Sequence, residues 1–152
     1  METTVTPAIR DKILDLLARH DNMTIATIRP DGYPQATTVG YANLGLTIYF
    51  GCATHSQKAA NLALNPKVSI AIDRDPESWF EIEGLSLAGT AERVTDAAEL
   101  AKAGELFFAK FPQIAAFSEK DMASMAIYRV TPAVFSVLDY TKGFGHSDLV
   151  AV

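Results

Sequence analysis

Apolar and polar positions change period along this chain, and the changes divide it into elements. From Thr6 to His20, Ile9, Ile13, Leu14, Leu16 and Leu17 recur at helical spacing, with Thr6 or Thr4 as cap and Pro7 in the first turn. His20 is expected at the C-terminal end, where the helix dipole favours it. Met23 to Arg29 then alternates with the strand period, Pro30-Asp31-Gly32-Tyr33-Pro34 signals a turn, and Gln35 to Tyr41 resumes as a strand rich in Thr and Val. A second turn at Asn43-Leu44-Gly45 leads into Leu46 to Cys52. Sequential strands joined by short turns predict an antiparallel meander.

A short helix is predicted from Ser56 to Leu64, with Ala59, Leu62 and Ala63 facing inward, and Asn65-Pro66 ends it. Strands follow at Lys67 to Asp73 and over a long segment, Trp79 to Val94, whose interior Gly84 and Gly89 suggest a bend, a bulge or a close approach. Asp96 caps a helix over Ala97 to Phe111. Gln113 to Ser124 reads as a loop with a short helical turn, Met125 to Val130 and Ala133 to Tyr140 as two strands, and Thr141 to Val152 as an irregular tail. Trp79 at a strand start is expected in the core or at a dimer interface, and Phe107, Phe108, Phe111 and Phe117 are expected to pack. The expected fold class is mainly β (α+β): a six-stranded antiparallel split barrel with an N-terminal helix and peripheral helices, spanning residues 1–152 as one domain.

Composition narrows the function. A formal net charge of -5 without a basic run gives nucleic-acid binding no electrostatic support. No apolar run reaches membrane-spanning length, and the polar N-terminus lacks a signal-peptide hydrophobic region, so a cytoplasmic protein is expected. The single cysteine, Cys52, has no partner for an intrachain disulfide, and its flanks suggest a small buried residue at a strand end. No grouping of His, Cys and carboxylates has metal-ligand spacing, and no catalytic triad is visible.

The chemistry concentrates in Gly51-Cys52-Ala53-Thr54-His55-Ser56-Gln57-Lys58. Small residues allow close approach to the backbone, Thr54 and Ser56 offer hydroxyls, and Lys58 offers a positive charge. With Ser56 as N-cap, the free N–H groups of the first turn point into the same space, which suits a phosphate. The same octapeptide also fits a solvated lysine behind an ordinary cap.

From Ser56 to Ile70 the pattern S-Q-K-A-A-N-L-A-L-N-P-K-V-S-I resembles the flavin-phosphate segment of the pyridoxamine 5′-phosphate oxidase-like family, the FMN-binding split barrels. The hairpin ATIRPDGYPQATTVGY, the strand LTIYFG and the segment IEGLSLAGTAERVTD follow in the family's order. The resemblance implies a homodimer with FMN at the subunit interface. It places Thr37, Thr38, Val39 and Gly40 along the isoalloxazine edge, Gly51 and Cys52 beside the ring, and Gln57 and Lys58 at the phosphate; the loop itself adds Ala53, Thr54 and Ser56 as cofactor-binding candidates. Thr37 and Gln57 depart from the family, which often carries basic residues there. Lys142, in the loop Asp139 to His146, is a further candidate that would reach the flavin of the partner subunit, and His146 a weak one for substrate.

The expected function is therefore an FMN-binding flavoprotein acting on a small molecule as an oxidoreductase, with no side chain assigned as catalytic. The alternatives are a deazaflavin- or haem-binding split barrel and a non-catalytic flavin-binding protein. Pyridoxamine phosphate oxidation itself is not expected, because the family's C-terminal substrate segment is not recognisable.

Overall fold

The computed structural model describes residues 3–152. Strand β1 (Thr3–Thr4) precedes helix α1 (Pro7–Arg19), then β2 (Asn22–Ile28), β3 (Pro34–Leu44), β4 (Thr47–Ala53), α2 (Gln57–Leu64), β5 (Lys67–Ile72) and β6 (Glu83–Arg93). Helix α3 (Ala97–Lys110), a 3-10 turn over Pro112–Ala116 and the short α4 (Glu119–Ala123) lead to β7 (Met125–Asp139) and β8 (Ser147–Ala151). Strands pair in the order β1-β8-β7-β4-β3-β2-β5-β6, and β6 pairs again with β7. That last pairing closes β2 to β7 into a six-stranded antiparallel barrel, the expected fold class. Among the described residues no helix is long and apolar enough to cross a membrane.

The barrel interior holds the core. Met23, Ile25, Ile48, Phe50, Ile70, Ile72, Leu85, Leu87, Val130 and Phe135 are buried there, and alternation along each strand puts them on one face. Thr6 caps α1 through the Ile9 N–H, as its sequence predicts. Ile13, Leu16 and Leu17 of α1 join the core. Lys12 and Arg19 of α1 ion-pair with Glu83 at the start of β6, and the Tyr41 hydroxyl donates to the Leu17 carbonyl at 2.7 Å. Helix α3 lies outside the barrel, where Ala103 packs with Tyr49 and Val94 in a second small cluster.

Strand β7 is continuous where two strands were expected. Its first part pairs with β4 up to Val130↔Ile48, and its last part pairs with β8 from Val134↔Ala151. Pro132 falls in the interval between these partners, so its missing N–H leaves neither ladder incomplete. On the other edge, β6 shifts register between Ala88 and Gly89, a bulge that absorbs Ala133. A Cβ on Gly89 would stand 2.5 Å from the Thr131 carbonyl oxygen, so only glycine allows this approach.

Several expectations change. The tail forms β8 instead of irregular chain, because its backbone pairs along β7 and Val150 enters the core. Of the core and the dimer interface expected for Trp79, the core is excluded: it lies in a 3-10 turn (Trp79–Glu81) before β6 and is 73% exposed in the single chain. Ala63 is exposed, and the third inward residue of α2 is Asn61. His20 is the non-helical C-cap of α1; burial and the nearby Arg19, Arg74 and Lys110 charges hold its imidazole below its ordinary value, with Asp73 acting the other way.

Two outcomes follow. Gly89→Ala should destabilise the barrel by about 1–3 kcal/mol in denaturant unfolding, because the clash is with backbone. The folded state resists protonating His20, so the unfolded chain binds more protons just below pH 6.5. The contribution from His20 is complete above that value and is lost as pH falls below it. His20→Gln should flatten this part of the stability–pH curve measured by thermal unfolding.

Candidate functional site

Strands β3 and β4 begin as a tight hairpin and then part. Their pairing runs from Leu44↔Thr47 to Tyr41↔Phe50 and stops. Beyond that rung β3 stays with β2, from Gly40↔Asn22 to Pro34↔Ile28, while β4 stays with β7, from Gly51↔Ile127 to Ala53↔Met125. The result is a seam in the barrel wall. One lip is Pro34 to Gly40 and the other is Gly51 to Ala53, each with a backbone edge that has no strand partner across the gap.

The start of α2 sits at the end of the second lip. Ser56 caps it, its Oγ accepting from the Ala59 N–H at 3.2 Å. Gln57 and Lys58 occupy the first two helical positions, whose N–H groups have no intrahelical acceptor. The Thr54 N–H donates to the Ser124 carbonyl at 2.9 Å, which ties the loop to the residue before β7. Lys58 is half-buried; burial pulls its ammonium below the ordinary lysine range, against a smaller opposing effect of Cys52. Among the described residues no carboxylate pairs with it. Of the two other half-buried lysines, Lys12 pairs with Glu83, and Lys110 is committed to the Tyr41 ring at 3.7 Å and to the Leu17 carbonyl.

A buried amide network fixes α2 against the seam. Asn61 is fully buried; its Nδ2 donates to Thr27 Oγ1 at 2.9 Å and to Gln35 Oε1 at 3.1 Å. Its Oδ1 accepts from Gln57 Nε2 at 2.8 Å. One asparagine thus joins β2, the β3 lip and the first turn of α2. Just above Gln35 on the same lip, the Thr37 hydroxyl is buried with no hydrogen-bond partner. An orphaned buried hydroxyl is uncommon and costs free energy unless a further group completes it.

The sequence-predicted residues therefore gather at one place, with differences in what each presents. Thr37, Thr38, Val39 and Gly40 form one lip; Gly51, Cys52 and Ala53 form the other; Thr54, Ser56, Gln57 and Lys58 close the end. Cys52 and Val39 turn their side chains to the core, so they offer only backbone to a ligand. The Gln57 amide is held by Asn61 instead of being free for an anion. Lys142 is not brought here within the chain. It lies past the far end of β7, in the 3-10 turn Tyr140–Lys142, where Phe144 packs edge-on against Tyr140. His55 is exposed in the loop, and His146 faces Asp148 at 3.3 Å.

Sequence reading missed Asn61, Thr27 and Gln35, which look like ordinary polar residues of three separate elements. It also missed Arg93, which ends β6 and faces, with Thr54, Ser56 and Tyr128, a hollow of about 680 Å³ beside α2. Nothing near Arg93 in the sequence points to that hollow.

A closed barrel with one parted pair of strands and a capped helix at the parting defines a split-barrel fold. Residues 9–139 match the family model of pyridoxamine 5′-phosphate oxidase, and the chain belongs to that family. It is similar to General stress protein 26 of Bacillus subtilis (strain 168), 28% identical over 124 residues covering 82% of this chain and 84% of the relative. A haem-binding protein from Mycobacterium smegmatis superposes with a TM-score of 0.80 at 23% identity; the match covers 97% of this chain but only 60% of that protein's length. General Stress Protein 26 from Bacillus anthracis str. Sterne superposes with a TM-score of 0.70 at 14% identity, covering 95% and 98% of the two chains. At these identities the structural likenesses speak for the fold.

Replacing Asn61 leaves the Thr27 and Gln35 groups without their partner inside the protein. Asn61→Ala should cost about 1–3 kcal/mol in urea unfolding, as for other buried groups left unpaired. Asn61→Leu, which fills the volume without the hydrogen bonds, should not restore the loss.

Proposed function

We propose that the chain is an FMN-binding flavoprotein, with the phosphate at the start of α2 and the isoalloxazine ring against the two lips of the seam. The observation that carries this reading is the unpaired Lys58 beside the free N–H groups of α2, together with the orphaned Thr37 hydroxyl on the facing lip. A phosphate needs charge-assisted donors, and Lys58, Ser56, Thr54 and two helix N–H groups supply them. A flat ring with polar edges needs close approach to backbone, and Gly40 and Gly51 are the lip residues nearest the last paired rung. Arg93 offers a second positive charge, which offsets a Gln57 amide already engaged by Asn61.

When bound, the flavin supplies hydride or electron chemistry, and the protein's part is to bind and orient it. No side chain of the seam is then required as a general base, so we propose an oxidoreductase without assigning a catalytic residue. In a homodimer with the flavin at the interface, Lys142 and Phe144 would approach the partner's seam, since within the chain they lie at the opposite end of β7.

Haem is the competing occupant, named for the mycobacterial neighbour. It wants an axial ligand. Of the three histidines, His20 is buried among Arg19 and Arg74, His146 faces Asp148, and His55 is exposed in a loop. His55 lines the hollow beside α2, with its side chain exposed and no protein group orienting it among the described contacts.

Purified protein should be yellow, and mass spectrometry of the released ligand should return FMN. Haem, a deazaflavin, or a colourless protein that takes up no added FMN would overturn the reading. Lys58→Ala should weaken FMN binding by about 1.5–3 kcal/mol in fluorescence titration, the worth of a hydrogen bond to a charged group. Wild-type affinity should also fall as pH rises through the lowered pKa of Lys58, since only the ammonium form holds the phosphate. Reduction of the bound flavin by NADH or NADPH with turnover separates an enzyme from a carrier.

A further inference from the structure

At the end of the barrel away from α2, the C-terminal end of α1 and the loop from β5 to β6 enclose a polar cleft of about 390 Å³. That volume lies at the lower end of the range for small-molecule sites. Strand β5 runs from the foot of α2 to this cleft, six residues or about 20 Å. The cleft shares no lining residue with the seam or with the hollow beside α2.

Apart from Pro76, every residue lining the cleft has a titratable side chain. His20 forms the inner wall. It is only 9% exposed, and among the described residues its ring nitrogens have no hydrogen-bond partner. The neutral ring keeps one N–H to donate and one nitrogen to accept. A buried polar group without a partner calls for one supplied from outside. Arg19 and Glu83 pair at 3.0 Å and so cancel. Around them Arg74, Asp75, Glu77 and Glu81 are exposed, and among the described residues their side chains form no ion pair. The cleft therefore offers a ligand one guanidinium, one imidazole and three carboxylates.

This mixture discriminates by sign. A simple anion meets three carboxylates, and a simple cation meets Arg74 and leaves His20 unused. A molecule with one carboxylate and two cationic groups satisfies both kinds of wall and offsets the excess of negative charge. We propose that the cleft binds a free amino acid with a cationic side chain, its carboxylate on Arg74, its cationic groups among Asp75, Glu77 and Glu81, and one polar group on the His20 ring. The guanidinium suits a carboxylate because its planar donors engage both oxygens, and each ammonium gains charge-assisted hydrogen bonds. The site is independent of the flavin reading.

Three probes of similar length test this by isothermal titration calorimetry at pH 7.5, where His20 is neutral. L-Lysine has both cationic groups and the carboxylate, cadaverine lacks the carboxylate, and L-norleucine lacks the side-chain ammonium. L-Lysine should bind one per chain, and each of the others at least about tenfold more weakly. Arg74→Gln should bring L-lysine down to the level of cadaverine. Glu77→Gln combined with Glu81→Gln should weaken L-lysine by about tenfold or more and leave L-norleucine unchanged. All these variants should take up FMN as the parent protein does. No binding of L-lysine would overturn the proposal. So would equal binding of cadaverine, which would make the cleft an acidic surface that collects cations, or an Arg74→Gln protein that still prefers L-lysine. Loss of FMN uptake in Arg74→Gln would overturn the separateness of the site. L-Lysine binding in a protein that takes up no FMN would remove the flavin reading and leave this one standing.

Discussion

The parting of β3 from β4 after the Tyr41–Phe50 rung is the constraint on which the site depends. A barrel normally satisfies every backbone group by closure. Here closure is completed by β6 on β7, and the two strands of one hairpin are free to follow different neighbours. The opened edges would be costly if left dry and unpartnered. Helix α2 occupies the parting, and Asn61 ties it to both β2 and β3, so the opening is held at a fixed width by hydrogen bonds instead of by strand pairing.

Charge is arranged around that opening in an uneven way. Arg129 is engaged with Glu99 and Glu92, Lys12 and Arg19 with Glu83, and Lys110 with an aromatic ring and a carbonyl. These contacts fasten α1 and α3 to the barrel. Lys58 has no such structural duty and is nevertheless half-buried. A lysine that gives up hydration without a partner in its own chain is expected where an anionic ligand restores the balance.

The departures from the family become intelligible in the same frame. Gln57 stands where relatives often carry a basic residue, and its amide completes the Asn61 network instead. Thr37, the other departure, places a hydroxyl in the wall of the seam where it has no protein partner. On the proposed reading, hydroxyls and backbone amides would take a large share of the polar contacts to the phosphate beside Lys58. Outside the barrel, a recess under α3 has Asn22 and Gln113 as its polar side chains and no charged one.

By itself the sequence determined the local elements and the lip residues. Helical and strand periods, the Ser56 and Asp96 caps and the proline and glycine breaks are short-range signals, and the helices and early strands follow them. The split barrel and the position of the anion loop were also legible, because a contiguous octapeptide carries both the cap and the lysine. Tertiary structure decided what spacing along the chain does not record. It joined Thr27, Gln35, Gln57 and Asn61 into one network, brought Arg93 to the hollow beside α2, and turned Cys52 inward. It also merged two expected strands across Pro132 and drew the glycine-containing tail into β8. The reason is physical: burial and hydrogen-bond partnership are set by which strand lies beside which. That choice was made where β3 and β4 let go of each other, a contact between residues nine apart whose ending no local pattern announces.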